Sequence, residues 1–153
     1  MQKQPNSRMC FVCGMENPIG LKAFFYEDDD GRVIAKFTPR QEHQGYPGFV
    51  HGGIISALMD EAIGRVVTSL DIWAVTAKLE LKFRQHVPLG EQFTITSELV
   101  RLRSRTFEAK GELRLADGTL AVEGYGLYVR LPDEEIERQR AALDFWEVVP
   151  DTE

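Results

Sequence analysis

The stretch from His51 to Ala62, HGGIISALMDEA, gathers an imidazole, two adjacent glycines, a hydroxyl and two neighbouring carboxylates. Three chemistries use such groups: a metal site, a serine nucleophile with its base, and a helix opening that polarises a bound carbonyl. Spacing separates them. His51 and Asp60 stand nine residues apart, about two and a half helical turns at 3.6 residues per turn, too far to share an ion. His43 and His86 are the remaining histidines, so no metal site is expected. Ser56 lacks the G-x-S-x-G setting of a nucleophile elbow and reads as a packed helix serine. Glu61 has Arg65 four residues on, the favourable order for a surface ion pair. Asp60 has no basic residue three or four positions away. An unpaired carboxylate inside a buried helix is costly, so Asp60 needs partners from elsewhere or a function.

The glycines offer the third chemistry. The first N–H groups of a helix lack internal partners and carry the positive end of its dipole. Gly52 and Gly53 let a ligand come close to that backbone. A carbonyl placed there would be polarised and a developing oxyanion stabilised, although a glycine-rich cap can also serve packing alone.

Other candidates lie outside this stretch. Cys10-Phe11-Val12-Cys13-Gly14 is a C-x-x-C turn. It raises zinc and thiol-redox readings, but no second C-x-x-C supplies four zinc ligands and no βαβ context supports a thioredoxin-type site. Two thiols packed in an N-terminal turn is the plainer alternative. Lys78, Lys82, Arg84, Arg101, Arg103 and Arg105 gather on segments expected to be neighbouring strands. They form either a solvated sheet face or a local phosphate site, with Arg103 and Arg105 the candidates for ligand phosphates. Thr76 opens the strand after the helix, and simple alternation turns it away from that helix. Phe24, Phe25, Tyr46 and Trp73 belong to the core or line an apolar pocket.

The elements that must position these groups follow from periodicity. Leu21–Tyr26 and Arg32–Thr38 read as two strands joined through the hairpin signal Asp30-Gly31. Residues 39–50, with Gly45, Pro47 and Gly48, form a loop. Apolar residues from Ile54 to Leu70 cover most of a helix circumference, which predicts one buried helix starting near Gly52. Alternation then predicts a meander of four long strands, with a phase slip at Leu99-Val100 that suggests a bulge and a turn at Asp117-Gly118. Pro132 suits the first turn of a final surface helix over DEEIERQRAALDF. Two strands, a helix and four strands predict an α+β fold in which a curled antiparallel sheet wraps one long central helix. Its open side calls for a second copy.

Length and charge bound the rest. The chain has 153 residues, a net charge of -6 and two cysteines. One main domain at residues 10–131 is expected, between a flexible tail at 1–9 and a C-terminal helix and tail at 132–153. The acidic balance argues against a nucleic-acid partner. No apolar run suits a membrane span or signal peptide, and the expected compartment is cytoplasmic with reduced thiols.

Residues 47–62, PGFVHGGIISALMDEA, resemble the signature of hotdog-fold acyl-CoA thioesterases of the PaaI type. CFVCGMENPIGL and TAKLELKFRQHVPLG resemble segments that accompany it. The resemblance implies a dimer, or a tetramer of paired dimers, with sites at the subunit interface and acyl-CoA as the substrate. Coenzyme A is then part of the substrate and no separate cofactor is required. Carried over by position, the Gly53 N–H polarises the thioester carbonyl beside Gly52. Asp60 of the partner subunit acts as nucleophile or general base, Thr76 helps hold the water, and His51 shapes the loop and hydrogen-bonds near the thioester. Many relatives have Asn or Gln six residues before the motif histidine. Here that position is Gly45, with Gln44 beside it, so either Gln44 substitutes through a shifted loop or the water is held differently. A non-catalytic acyl-CoA binding module and an enoyl-CoA hydratase or dehydratase are the alternatives on the same fold.

Overall fold

The computed structural model describes residues 1–151. Two short strands come first, β1 (Gln2–Lys3) and β2 (Asn6–Ser7), followed by the C-x-x-C turn. Strands β3 (Tyr26–Glu27) and β4 (Val33–Phe37) flank the hairpin turn, where Gly31 takes a φ of 81°. Helix α1 (Gly52–Gly64) follows a loop that contains a 3-10 turn at Gln41–His43. Four long strands come next: β5 (Ala74–Phe83), β6 (Phe93–Leu102), β7 (Thr106–Arg114) and β8 (Leu120–Arg130). Helix α2 (Asp133–Leu143) and strand β9 (Trp146–Glu147) close the chain.

The main sheet has seven strands in the order β1-β3-β4-β6-β7-β8-β5. It is antiparallel throughout and curls around α1, which packs against β4, β5, β6, β7 and β8. This is the hotdog arrangement. Ile55, Leu58, Met59, Ala62 and Ile63 form the buried face of the helix. They meet Phe25, Val33, Phe93, Ile95, Phe107, Leu113 and Val122 in one core. Two strand glycines permit the close approach. A Cβ at Gly124 would lie 2.8 Å from Ile63 Cδ1, and one at Gly111 would lie 2.9 Å from Ile63 Cγ1. Side chains there would push the helix off the sheet.

Several expectations change. The four long strands are not one meander: β6, β7 and β8 are, but β5 lies beyond β8 as the free edge. The strand expected at Leu21–Tyr26 shrinks to Tyr26–Glu27, because residues 21 and 23 hydrogen-bond to the C-x-x-C turn, at Phe11 and Val12. The helix is α-helical only to Gly64. Arg65–Leu70 tightens into a 3-10 turn that Asp71 ends at a φ of 55°. The expected bulge is present, since the β6–β7 register skips Val100. Residues 1–9 are not a loose tail: β1 pairs with β3, β2 pairs with β9, and Gln4, Asn6 and Ser7 are buried. Backbone carbonyls receive some of their side-chain donors, such as Asn6 Nδ2 on the carbonyls of Cys13 and Ala23. Helix α2 is solvent-facing as expected, with no buried residue. The last two positions of the expected C-terminal tail lie outside the described residues.

Candidate active site

Asp60 sits half-buried on the side of α1 that leans toward β5 and β8. Thr76 Oγ1 donates to its Oδ1 at 2.8 Å, and Tyr128 O–H donates to the same oxygen at 3.0 Å. The Asp60 backbone carbonyl is also within reach of that hydroxyl, at 3.1 Å. Both donors are neutral, and both converge on one carboxylate oxygen. Among the described residues no hydrogen bond reaches Oδ2, which is left for a proton or a water.

Thr76 corrects a simple alternation count. The β5–β8 register runs Thr76↔Tyr128 and then Lys78↔Leu127, so Ala77 is bulged. The extra residue shifts the strand's phase by one and turns Thr76 toward α1. Tyr128 is a site residue that the sequence reading missed. It follows Gly124 and Gly126 on the helix-facing side of β8. A Cβ at Gly126 would lie 2.4 Å from the Tyr128 ring, so that glycine gives the ring its berth. Phe107 stacks on the ring at 4.7 Å. Burial first, and then the Asp60 carboxylate, hold the Tyr128 hydroxyl's pKa well above the usual tyrosine range, so it remains a donor. A tyrosine on an apolar strand face needs a partner for its hydroxyl, and that was the available signal.

The helix opening lies seven residues before Asp60, about 10 Å along the axis. His51 is the N-cap, and its Nδ1 accepts from the Gly53 N–H at 2.8 Å. The N–H expected to polarise a carbonyl therefore has an internal partner in this state, while that of Gly52 makes no hydrogen bond among the described residues. Ser56 Oγ donates back to the Gly52 carbonyl of its own helix at 2.7 Å. Gly45 packs closely on the motif histidine, since a Cβ there would come 3.1 Å from His51 Cα. Gln44 Oε1 accepts from Gly48 N–H and so braces the loop. A cleft of about 680 Å³ opens beside His51 and Gly52, walled by Tyr46, Phe49, Phe83 and His86. Its size suits a sizeable organic ligand. Phe24, Phe25 and Trp73 lie elsewhere. Tyr46 alone of those four aromatics faces the cleft.

The remaining candidates separate. Glu61 pairs with Arg65 at 3.0 Å as expected, but not on the surface: the side chains are 25% and 5% exposed. Burial raises the Glu61 pKa, and the guanidinium opposes that shift. The basic residues do not form one face, since β8 and β7 stand between β5 and β6. Lys78, Arg84 and Arg101 each have an acidic partner. Arg103 and Arg105 are exposed with no ion pair among the described residues. They sit in the β6–β7 turn, where the Arg105 carbonyl accepts from Arg130 N–H, two residues along β8 from Tyr128.

The pattern of the thioesterase superfamily matches residues 47–122, which span most of the cleft loop, α1 and, of the two Asp60 partners, Thr76 but not Tyr128. The bovine (Bos taurus) acyl-coenzyme A thioesterase THEM4 is 31% identical over 127 residues, 82% of this chain and 52% of its own. A solved thioesterase superfamily protein, RHA08564, superimposes with a TM-score of 0.75 at 32% identity over 80% of this chain and 63% of that one. The PaaI protein of the E. coli phenylacetic acid degradation operon gives a TM-score of 0.68 at 19% identity, covering 73% of this chain and 81% of its own. The protein belongs to the thioesterase superfamily. It spans 52% to 60% of the length of the THEM4 relatives from mouse, cattle and rat. No helix among the described residues is long and apolar enough to cross a membrane.

Proposed function

We propose that the protein hydrolyses an acyl-coenzyme A thioester to a free acid and coenzyme A. The observation that carries this reading is the Asp60 carboxylate, with one oxygen held by two neutral hydroxyls and the other unengaged. Such a group can take a proton from a water, or attack a carbonyl itself, without a cation quenching its negative charge. The thioester carbonyl sits at the helix opening of the other subunit. The Gly52 N–H meets it directly, and the Gly53 N–H joins once the His51 ring turns off it. The acyl group lies in the cleft beside Tyr46 and Phe83, and Gln44 and Gly45 shape its mouth. The exposed Arg103 and Arg105 hold coenzyme A phosphates near the Asp60 end.

A second copy is part of this reading. No substrate carbonyl can touch Gly53 and Asp60 of one helix across about 10 Å. Strand β5 is a ten-residue free edge with Val75 52% and Phe83 51% exposed, a surface suited to pairing. The test is hydrolysis of a panel of acyl-CoAs by the wild type and Asp60→Ala. Turnover by the wild type that Asp60→Ala lowers at least 100-fold supports the reading. Tight binding without turnover points instead to an acyl-CoA binding module.

A further inference from the structure

Cys10, Cys13 and Glu61 come together beside α1, about 100° around the helix from Asp60, where the proposed reaction does not use them. Their two Sγ atoms and a carboxylate oxygen all lie within 4.8 Å of one another. We propose that these three residues bind a single divalent cation of the zinc class, with solvent in a fourth position.

The thiols are held in place by the chain around them. Gly14 N–H donates to the Cys10 carbonyl at 2.7 Å and closes one helix-like turn, which puts residues 10 and 13 on one side. Only glycine fits there, since a Cβ would lie 2.4 Å from that carbonyl oxygen. Leu21 and Ala23 N–H groups bond to the carbonyls of Phe11 and Val12, and Asn6 Nδ2 bonds to that of Cys13. Ser7 Oγ accepts from Cys10 N–H at 3.2 Å and lies 3.5 Å from Cys13 Sγ, within hydrogen-bond distance of the sulfur. A ligand set fixed this way is preorganised.

The third donor is equally fixed. Arg65 Nε holds one oxygen of Glu61 at 3.0 Å, and Arg65 Nη1 is tied to the Pro5 carbonyl at 2.8 Å. The guanidinium also lies over the Phe25 ring, 4.4 Å from its centroid. One carboxylate oxygen is thereby left for an ion, the usual outer-shell arrangement of a ligating carboxylate. Tetrahedral zinc with bonds near 2.3 Å places its sulfur ligands about 3.8 Å apart. Shifts of about an ångström therefore close the set. Two thiolates and a carboxylate facing one guanidinium leave two negative charges, which one divalent cation cancels. Two sulfurs and one oxygen select zinc or cobalt over magnesium or calcium. Cys10 is half-buried, so an ion can enter from its side. Because Glu61 follows Asp60 on α1, a bound ion would tie the N-terminal turn to the helix that carries the proposed catalytic carboxylate.

The test is titration of the full, reduced, metal-free chain with cobalt(II) under anaerobic conditions. One equivalent should give a thiolate-to-cobalt charge-transfer band and the visible bands of tetrahedral cobalt. Zinc should displace them and raise Tm. Cys10→Ser should abolish the charge-transfer intensity. This variant changes the half-exposed thiol and leaves the buried Cys13 in place, so the fold should survive. Arg65→Lys should weaken cobalt binding about 10-fold. The proposal is overturned by cobalt spectra of oxygen-only octahedral coordination, or by binding that Cys10→Ser leaves unchanged. It is also overturned if protein purified without reductant carries a Cys10–Cys13 disulfide and no metal. None of these readouts depends on thioesterase activity.

Discussion

Asp60 and Glu61 are chain neighbours on α1, yet the fold places them in opposite electrostatic settings. Asp60 turns toward two strands that offer it only hydroxyls, from Thr76 and Tyr128. Glu61 turns toward the N-terminal segment, where a buried guanidinium takes one of its oxygens. A helix step of about 100° is enough to separate them. Neutral donors orient a carboxylate and leave its negative charge available for chemistry. A guanidinium cancels that charge and makes the carboxylate a structural or ligating group. The same residue chemistry thus serves two purposes because different strands and loops come up against the two sides of one helix.

The strongest test of this contrast replaces the Asp60 carboxylate by its amide. Asp60→Asn keeps size and hydrogen bonding but not basicity, and should lower kcat on acyl-CoA about 1000-fold with Tm nearly unchanged. Equal rates in the two proteins would end the catalytic reading of Asp60. On the Glu61 side the signature should invert. Arg65→Ala leaves a buried carboxylate without its cation and should cost about 3 kcal/mol of stability by denaturant unfolding. A loss under 1 kcal/mol would show that the pair is not structural.

Tyr128→Phe should fall between these limits, since it removes one of two donors to Asp60. A roughly 10-fold drop in kcat, about 1.4 kcal/mol, is expected. The pH dependence of stability supplies a second readout. Tyr128 stays protonated in the fold beyond the usual tyrosine range, because burial and Asp60 disfavour its anion. The unfolded chain ionises near pH 10 and then binds fewer protons than the folded one. Stability tied to Tyr128 is therefore fully present below about pH 10 and lost above it, a loss that Tyr128→Phe should lack. Parallel alkaline profiles for the two proteins would contradict the burial of that hydroxyl. The smallest effect is expected at the exposed turn, where Arg105→Ala should raise KM about 3-fold and leave kcat unchanged. An unchanged KM would remove Arg105 from the phosphate site.

Much of the frame was legible because it rests on local pattern. The apolar run after Gly52 marked the helix, Asp30-Gly31 and Asp117-Gly118 marked turns, and the phase slip at Leu99-Val100 marked a bulge that is present. Asp60 stood out because nothing on its own helix could pair with it. Thr76 was misplaced because the bulge at Ala77 leaves no mark on the apolar pattern. Its neighbours alternate cleanly only from residue 77 onward. Tyr128 and Cys13 went unassigned for a different reason. Their partners lie 68 and 48 positions away along the chain, so no spacing rule connects them.

The sequence by itself determined where the central helix starts and where the four long strands run, which glycines open the helix, and which carboxylate lacks a local partner. These depend on backbone sterics and on periodicities of 3.6 and 2 residues, which act over a few positions. Tertiary structure alone decided what faces each carboxylate. It set two hydroxyls on Asp60, a guanidinium and two thiols around Glu61, and His51 on the Gly53 N–H. The strand order decided it too, by sending β5 past β8 to the free edge and dividing the basic residues between two regions. Electrostatic and hydrogen-bonding environments depend on through-space distance, which the folding of distant segments onto α1 sets.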